Sequence, residues 1–315
     1  MSRIVAFALT LGLATALSAP GARAADSESC KTVTFSDVGW TDITATTAVA
    51  SVVLDALGYE PETQVLSVPV TYASLKNKDV DVFLGNWMPT MEADIAPYRE
   101  DGTVETIVTN LEGAKYTLAV PKYTFDKGLK SFEDIAKFSD DLDGKIYGIE
   151  PGNDGNRLIL DMIANDQFGL GKFELVESSE AGMLSQVKRS ASSKEDVVFL
   201  GWEPHPMNAN VEMEYLSGGD DVFGPNFGGA TVHTNVRQGY TEECPNVGKL
   251  LKNMVFSLQM ENEIMGSILD GGEAPEAAAT AWLKANADAV TPWLDGVTTF
   301  DGGDAAAAVK AMLGM

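Results

Sequence analysis

Two stretches of the sequence, far apart in the chain, each combine an apolar run with a glycine, a tryptophan and a proline. They are DVFLGNWMP at 81–89 and DVVFLGWEPHP at 196–206. In each, a tryptophan follows the last residues of a predicted core strand, so Trp87 and Trp202 are expected at two strand ends. A third tryptophan, Trp40, follows another predicted strand in the same way. One such indole is often only a cap on the core, but three at equivalent strand ends favour a shared site.

Several aromatic faces around one cleft suit a ligand that carries a positive charge and has no hydrogen to donate. A quaternary ammonium group spreads its charge over methyl groups, and each ring face that it contacts contributes roughly 0.5–2 kcal/mol. Three or four rings with apolar burial approach the roughly 8 kcal/mol of a micromolar complex. Tyr116, in GAKYTLAV, is a candidate fourth ring, although a half-buried strand tyrosine also fits this position.

Two polar residues are candidates for the same site, and each also has a simpler structural interpretation. Asp42 lies two residues after Trp40, where a helix is expected to begin, so it is a helix-capping or first-turn acid, a carboxylate beside the cation, or both. A carboxylate about 4 Å from a cation gains roughly 4 kcal/mol at an effective dielectric constant of about 20. Asn153, in the turn EPGNDGNR at 150–157, either completes this turn or bonds to a ligand hydroxyl group. The turn lacks the lysine of a P-loop, so no nucleotide site is indicated.

The N-terminal segment has the features of a secretory signal peptide. Arg3 precedes an apolar stretch from Ile4 to Leu17, and small residues follow at Ala22 and Ala24, so cleavage is expected after Ala24. The apolar stretch is shorter than the about 20 residues of a membrane-spanning helix. The mature chain is therefore expected to be exported, and a Gram-negative periplasm fits best.

The chain is strongly acidic and has only two cysteines. Its formal net charge is −24, and removal of residues 1–24 leaves 20 basic against 46 acidic residues, a net charge of −26. Such a surface repels nucleic acid and anionic lipid, and it either attracts a cationic ligand or only promotes solubility. In an oxidising compartment, Cys30 and Cys244 are expected to form a disulfide. With only His205 and His233 besides, no Cys/His zinc cluster can be assembled, and no cofactor is expected.

Strand-like and helix-like segments alternate in the βαβ rhythm of an α/β protein. The predicted strands are 31–38, 63–70, 80–85, 145–152 with its loop, and 196–202, and the predicted helices include 41–59, 71–79, 131–138, 154–166 and 180–190. About 290 mature residues exceed the usual size of one core. We therefore predict two α/β lobes, with parallel-rich sheets flanked by helices and a ligand cleft between them. Lobe 1 is expected to comprise 25–112 and 211–315, and lobe 2 to comprise 113–210, with hinge crossings near 112 and 210.

Five segments together resemble a known family. They are FSDVGWTDITATTAVASVVLDALGY, DVFLGNWMPTMEADI, NLEGAKYTLAVP, KIYGIEPGNDGNRLI and FLGWEPHPMNAN. Over nearly the whole mature chain, they are similar to the choline-binding branch of the glycine betaine/choline family of periplasmic substrate-binding proteins. The resemblance implies a type II periplasmic binding fold and an ABC importer permease in the inner membrane as partner. It also implies an aromatic box for the trimethylammonium group, formed by Trp40, Trp87, Tyr116 and Trp202, with Asp42 beside the cation and Asn153 near the hydroxyl end.

The resulting hypothesis is a monomeric binding protein, without catalytic activity, that encloses choline between its lobes. Glycine betaine adds a carboxylate that Asp42 repels, and the nearest base, Arg157, is expected on a helix flank. The amides of the GNDGN turn can still accept an anion, so a binding protein for betaine or another quaternary ammonium osmoprotectant is the alternative. Acetylcholine is expected to fit weakly.

Two further alternatives differ in the step after ligand binding. An exported choline-ester hydrolase needs a nucleophile and a base in the cleft, and His205 is the only base near a box residue in the sequence. Both histidines are otherwise expected to be structural. A sensor subunit that passes ligand to a receptor would use the same site.

Overall fold

The computed structural model describes residues 26–314, so the predicted signal peptide lies outside the described residues. The strands are β1 (Thr32–Asp37), β2 (Glu60–Val65), β3 (Val82–Met88), β4 (Val104–Pro121), β5 (Lys145–Tyr147), β6 (Glu174–Val176), β7 (Phe199–Glu203), β8 (Met213–Tyr215) and β9 (Gly229–Arg237). The α-helices are α1 (Thr41–Ala56), α2 (Val68–Asn77), α3 (Glu92–Glu100), α4 (Lys122–Asp126), α5 (Phe132–Ile135), α6 (Asp154–Ala164), α7 (Glu180–Ser193), α8 (Met207–Asn210), α9 (Asp220–Phe223), α10 (Pro225–Gly228), α11 (Tyr240–Glu243), α12 (Pro245–Asn253), α13 (Leu258–Leu269), α14 (Pro275–Ala285) and α15 (Ala305–Leu313). Within this range, no helix has the length and apolar character needed to cross a membrane.

The strands form one hydrogen-bonded sheet of mixed direction. Its order is β2-β1-β3-β9-β4-β7-β5-β6, and β8 pairs with β4 off this path. The outer strands pair in parallel, β1 with β2 and β3, and β5 with β6 and β7. The central strands β4 and β9 pair antiparallel with each other and with their other neighbours. The α/β alternation is as predicted, whereas the parallel-rich character holds only for the outer strands, because local periodicity does not encode strand direction.

The long strand β4 connects the two halves of the sheet. Its first part pairs with β9 as far as Lys115, and from Lys115 onward it pairs with β7. The predicted crossing near 112 lies close to this change of partner. The predicted lobe boundaries stay a prediction, but β8 pairs with the end of β4 from Ala119 to Pro121. This pairing favours a return crossing near Gly229 rather than near 210.

Helix starts follow local signals that the sequence contains. The α6 helix begins after Asn153, whose side chain accepts the Asn156 N–H, and α7 begins after Ser179, whose hydroxyl accepts the Gly182 N–H. Serine and asparagine are favoured at this position because they satisfy free N–H groups of the first turn. The strand predicted at 63–70 lies earlier, at Glu60–Val65. Its predicted end is wrong because Pro69 lies in the first turn of α2, where its fixed φ suits a helix start.

The predicted disulfide between Cys30 and Cys244 is present. The two residues are fully buried and are separated by 214 positions. Cys30 ends a short 3₁₀ helix just before β1, and Cys244 directly precedes α12. The bridge therefore fastens the start of the first strand to the C-terminal helical region.

Replacing both cysteines by serine is expected to lower the free energy of unfolding by about 2–5 kcal/mol. The disulfide closes a long loop and so restricts the unfolded chain, and this restriction is lost in the variant. Urea unfolding of the oxidised wild type and of the double variant measures the difference. Reduced wild type should unfold at the same urea concentration as the variant, and an unchanged midpoint in the variant would contradict the prediction.

Candidate ligand-binding site

The four predicted rings come from four different elements. Trp40 lies between β1 and α1, in extended conformation at the N-cap position of the helix. Trp87 lies in β3, one residue before the strand ends. Tyr116 and Trp202 face each other across the antiparallel pair β4 and β7. The ladder of the second half of the sheet therefore fixes two rings, and the ends of β1 and β3 supply the other two.

All six residues predicted for the site line a single cavity of about 250 Å³. The cavity lining consists of Trp40, Asp42, Trp87, Tyr116, Ile149, Asn153 and Trp202. Each of the six predicted residues is at most 5% exposed. This free space includes the part that opens to solvent, so the enclosed part suits only a small ligand. Ile149 is the one lining residue that the sequence did not lead us to select.

The rings stand edge to face around the cavity. The Tyr116 centroid lies 6.0 Å from that of Trp87 and 6.3 Å from that of Trp202, with interplanar angles of 61° and 84°. Hydrogen bonds fix two of the indoles, since Trp40 Nε1 donates to Glu150 Oε1 at 2.8 Å and Trp87 Nε1 donates to Asp42 Oδ2 at 3.1 Å. Rings held at steep mutual angles form walls of a box, an arrangement that suits a cation by cation–π attraction.

Within the described part of the chain, Asp42 is the only charged residue in the cavity lining, and one of its oxygens is unpartnered. Its side chain is 1% exposed, and Oδ1 has no hydrogen-bond partner among residues 26–314. Burial, and then the negative charge of Glu180, raise the Asp42 pKa to about 8, while the bond from the Trp87 indole acts in the opposite direction. A buried carboxylate without compensation is costly. A cation in the cavity would supply the missing charge.

Asn153 forms the polar end of the cavity. Its Oδ1 accepts from the Asn156 backbone N–H at 3.0 Å and from the Tyr116 hydroxyl at 2.8 Å, and its Nδ2 donates to Asp154 Oδ1 at 3.1 Å. A backbone N–H can only donate, so these bonds fix the orientation of the amide. The same amide also contacts the Glu150 carboxylate, and this contact acts against the rise that burial causes in the Glu150 pKa. A β-carbon at Gly155 would collide with the Tyr116 hydroxyl, so the glycine permits this close approach.

Residues 31–285 match the family model described as the substrate-binding domain of the ABC-type glycine betaine transport system. The chain belongs to this family. This substrate-binding protein is 70% identical to a solved ABC-transporter choline-binding protein in complex with choline, over 91% of this chain and 100% of the other, with a TM-score of 0.91. It is 71% identical, over the same shares, to an ABC-transporter choline-binding protein in an unliganded semi-closed conformation, with a TM-score of 0.85. Lactococcal OpuAC in its closed form with glycine betaine is 26% identical over 84% of this chain and 99% of its own, with a TM-score of 0.75.

These structures confirm the two-lobed α/β fold. Hydrogen bonds join the two halves of the sheet across the cavity, from Trp40 to Glu150 and from Thr41 to Glu180. We therefore describe the present arrangement as closed.

Three acids near the cavity were not selected from the sequence. Glu150 accepts the Trp40 indole N–H. Glu180 is 5% exposed and Glu261 is 2% exposed. Besides burial, the charge of Glu180 raises the Asp42 pKa. Besides burial, the charge of Asp42 raises the Glu261 pKa. Glu180 follows β6 at the carboxyl end of a parallel strand, a place where functional residues gather, so a signal for it existed. Glu261 lies on α13, and no local pattern connects this helix to the site.

The bases near the site are engaged elsewhere. Arg157 donates to Asp94 Oδ2 at 2.7 Å and to the Thr90 carbonyl at 3.1 Å, outside the cavity lining. His205 Nδ1 accepts the Met207 N–H at 2.9 Å, so its proton lies on Nε2, which is 3.1 Å from Glu180 Oε1. The ring of His205 therefore has a structural contact on each nitrogen.

Acidification is expected to favour closure of the protein in the absence of added ligand. The Asp42 pKa is about 8 in the closed arrangement, whereas a solvated aspartate titrates near about 4. The closed form therefore binds the Asp42 proton more tightly than the open form. The ratio of closed to open molecules should rise by up to about tenfold per pH unit as the pH falls from about 8 towards about 4. Energy transfer between dyes on the two lobes measures the closed fraction.

Asp42→Asn should lose most of this pH dependence, because an amide has no proton to bind in this range. The matched control is Asp55→Asn, on the exposed side of the same helix, which should behave like wild type. A wild-type closed fraction that does not change between about pH 8 and about pH 5 would rule out the expected proton linkage.

Proposed function

We propose that this substrate-binding protein captures choline in the ring-walled cavity and delivers it to the permease of an ABC importer. The observation that carries the proposal is the unpartnered Asp42 Oδ1 in a cavity whose other walls are largely aromatic. This site offers a cation a full negative charge, ring faces and a dry environment together. The solved relative in complex with choline supports the same ligand class.

Each of the six residues has a proposed role in this site. Trp40, Trp87, Tyr116 and Trp202 would surround the trimethylammonium group, and Asp42 would neutralise its charge. Asn153 Nδ2 would donate to the choline hydroxyl oxygen. Trp40, Asp42 and Trp87 come from the first half of the sheet and the others from the second, so closure completes the box.

The charges around the cavity favour choline over glycine betaine. A betaine carboxylate would lie near Asp42 at one end or near Asn153 at the other. Asn153 is bonded to the fully buried Asp154, whose pKa burial raises to about 7. The first turn of α6 offers amide groups for an anion, but the Asn153 side chain already occupies the Asn156 N–H. No lysine or arginine lines the cavity among the described residues, so a carboxylate lacks a counter-charge.

We further propose binding without turnover. The cavity lining contains no serine, threonine, cysteine or histidine within the described part of the chain. His205, the base considered for a hydrolase, is bonded to Met207 and Glu180 instead. These contacts support a transport role over ester hydrolysis.

Export and oligomeric state belong to the same proposal. The signal sequence at residues 1–24, with cleavage near Ala24, supports a periplasmic location. One chain supplies all the residues of the cavity, so a monomer is sufficient for binding. Acetylcholine should bind weakly, because its acetyl group needs room beyond Asn153 in a cavity whose predicted lining residues are at most 5% exposed.

Titration of the mature protein with choline should give a saturable change in tryptophan fluorescence at micromolar concentration, because three indoles line the cavity. Glycine betaine should need a concentration at least about 100-fold higher, since one unfavourable charge contact near the surface costs several kcal/mol. Isothermal calorimetry on the same samples provides an independent affinity. Tight betaine binding would change the assignment to an osmoprotectant-binding protein, and no response to either ligand would refute the proposed function.

Asp42→Asn is expected to weaken choline binding by about 100-fold or more, because the loss of a counter-charge in a poorly solvated site costs several kcal/mol. The indole of Trp87 can still donate to the amide oxygen, so the fold should be retained. Far-UV circular dichroism and the melting temperature check the fold, and Asp55→Asn is the matched control on the same helix. Wild-type affinity in Asp42→Asn would mean that the carboxylate does not contact the cation.

A further inference from the structure

The start of helix α1 lacks a cap from its own neighbourhood. Trp40 occupies the N-cap position, and its side chain accepts no hydrogen bond from the first turn. The first N–H groups of a helix need acceptors. Here Glu180 Oε2 accepts the Thr41 N–H at 2.9 Å, and Glu180 Oε1 accepts the Thr41 hydroxyl at 2.6 Å. The acceptor is 139 positions away in the chain and comes from the other half of the sheet.

Glu180 is itself held by contacts within the second half of the sheet. It is the first residue of α7, whose cap is Ser179. His205 Nε2 lies 3.1 Å from Glu180 Oε1, and the His205 ring packs edge-on against Trp202 at 4.8 Å between centroids. Both Glu180 and His205 are at most 5% exposed. The Glu180 carboxylate is therefore fixed in position, and it belongs to the same half of the sheet as Trp202, one ring of the box.

The position of Glu180 connects closure to the charge in the cavity. Thr41 directly precedes Asp42 in the chain. Closure therefore brings a second buried carboxylate close to Asp42, and the two repel unless a positive charge lies between or beside them. A cation in the cavity reduces this repulsion, whereas an anionic ligand increases it.

We propose that Glu180 is a positioning residue that latches the closed form by capping α1 from the opposite lobe, and that it strengthens the preference for cationic ligands. The inference rests on the proposed function, because its test uses choline as the ligand. Other contacts also cross the cleft, such as Arg157 with Asp94, but that pair is partly exposed and is not part of the cavity lining. Among the described bonds that cross the cleft, only the Glu180 contact joins a buried carboxylate to Thr41, the residue next to Asp42.

The test measures the opening rate of single molecules that carry a dye on each lobe, at Glu62→Cys and Arg189→Cys, with and without choline. Glu180→Ala should raise the opening rate and the choline dissociation rate by about 10- to 100-fold, because bonds to a charged group are lost. The association rate should stay within about threefold, because open molecules capture the ligand and the latch forms afterwards. Glu195→Gln, an exposed acid in the same half of the sheet, is the matched control and should leave both rates unchanged.

Two variants distinguish a latch from a general loss of structure. Thr41→Val removes one of the two bonds and should give an intermediate opening rate, and adding it to Glu180→Ala should cause little further change. Glu180→Gln keeps an acceptor for the Thr41 N–H and should partly restore the slow opening. Fully additive effects, or an opening rate in Glu180→Ala equal to that of wild type, would overturn the latch. A wild type whose opening rate ignores choline, with Glu180→Ala still opening faster, would refute only the proposed ligand.

Discussion

The closed structure depends on one buried carboxylate oxygen, Asp42 Oδ1, which has no partner among the described residues. The other oxygen of this carboxylate is bonded to the Trp87 indole, so the group is fixed but only half satisfied. The Asp42 pKa of about 8 reflects the same cost of burying an unpaired charge. When the protein closes over this carboxylate without a positive charge, protonation is favoured. A cation removes this cost and therefore binds the closed form more tightly than the open form. This difference in binding free energy drives closure.

The sheet topology explains how one small ligand can join two lobes. The long strand β4 changes partner from β9 to β7 at Lys115, and Tyr116 is the next residue. One box ring thus lies directly at the junction, and Trp202 is its cross-strand neighbour. Trp40 and Trp87 approach from β1 and β3 in the other half. A ligand that touches all four rings contacts both halves of the sheet at once.

The proposed selectivity for choline rests on the absence of positive charge in the described cavity lining as much as on the aromatic walls. Ring faces attract a trimethylammonium group in choline and in glycine betaine alike. The two ligands differ at the opposite end, where Asn153 is backed by the buried Asp154 and where Arg157 is directed to Asp94. The family is described by glycine betaine transport, so under the proposed function these contacts would distinguish an alcohol from a carboxylate.

The α/β alternation, the disulfide partners and six of the seven residues that line the cavity could be predicted from the sequence. Strand ends, helix caps and a pair of cysteines are local signals, and the resemblance of the motifs supplied the roles of the residues. The packing of the whole chain was needed to establish the antiparallel direction of β4 and β9 and the contact of Glu180 with Thr41. Residues 139 positions apart meet there, and no local periodicity records such a contact. Hydrogen-bond partners and the burial that shifts a pKa depend on which elements pack together, and this is fixed only when the whole chain folds.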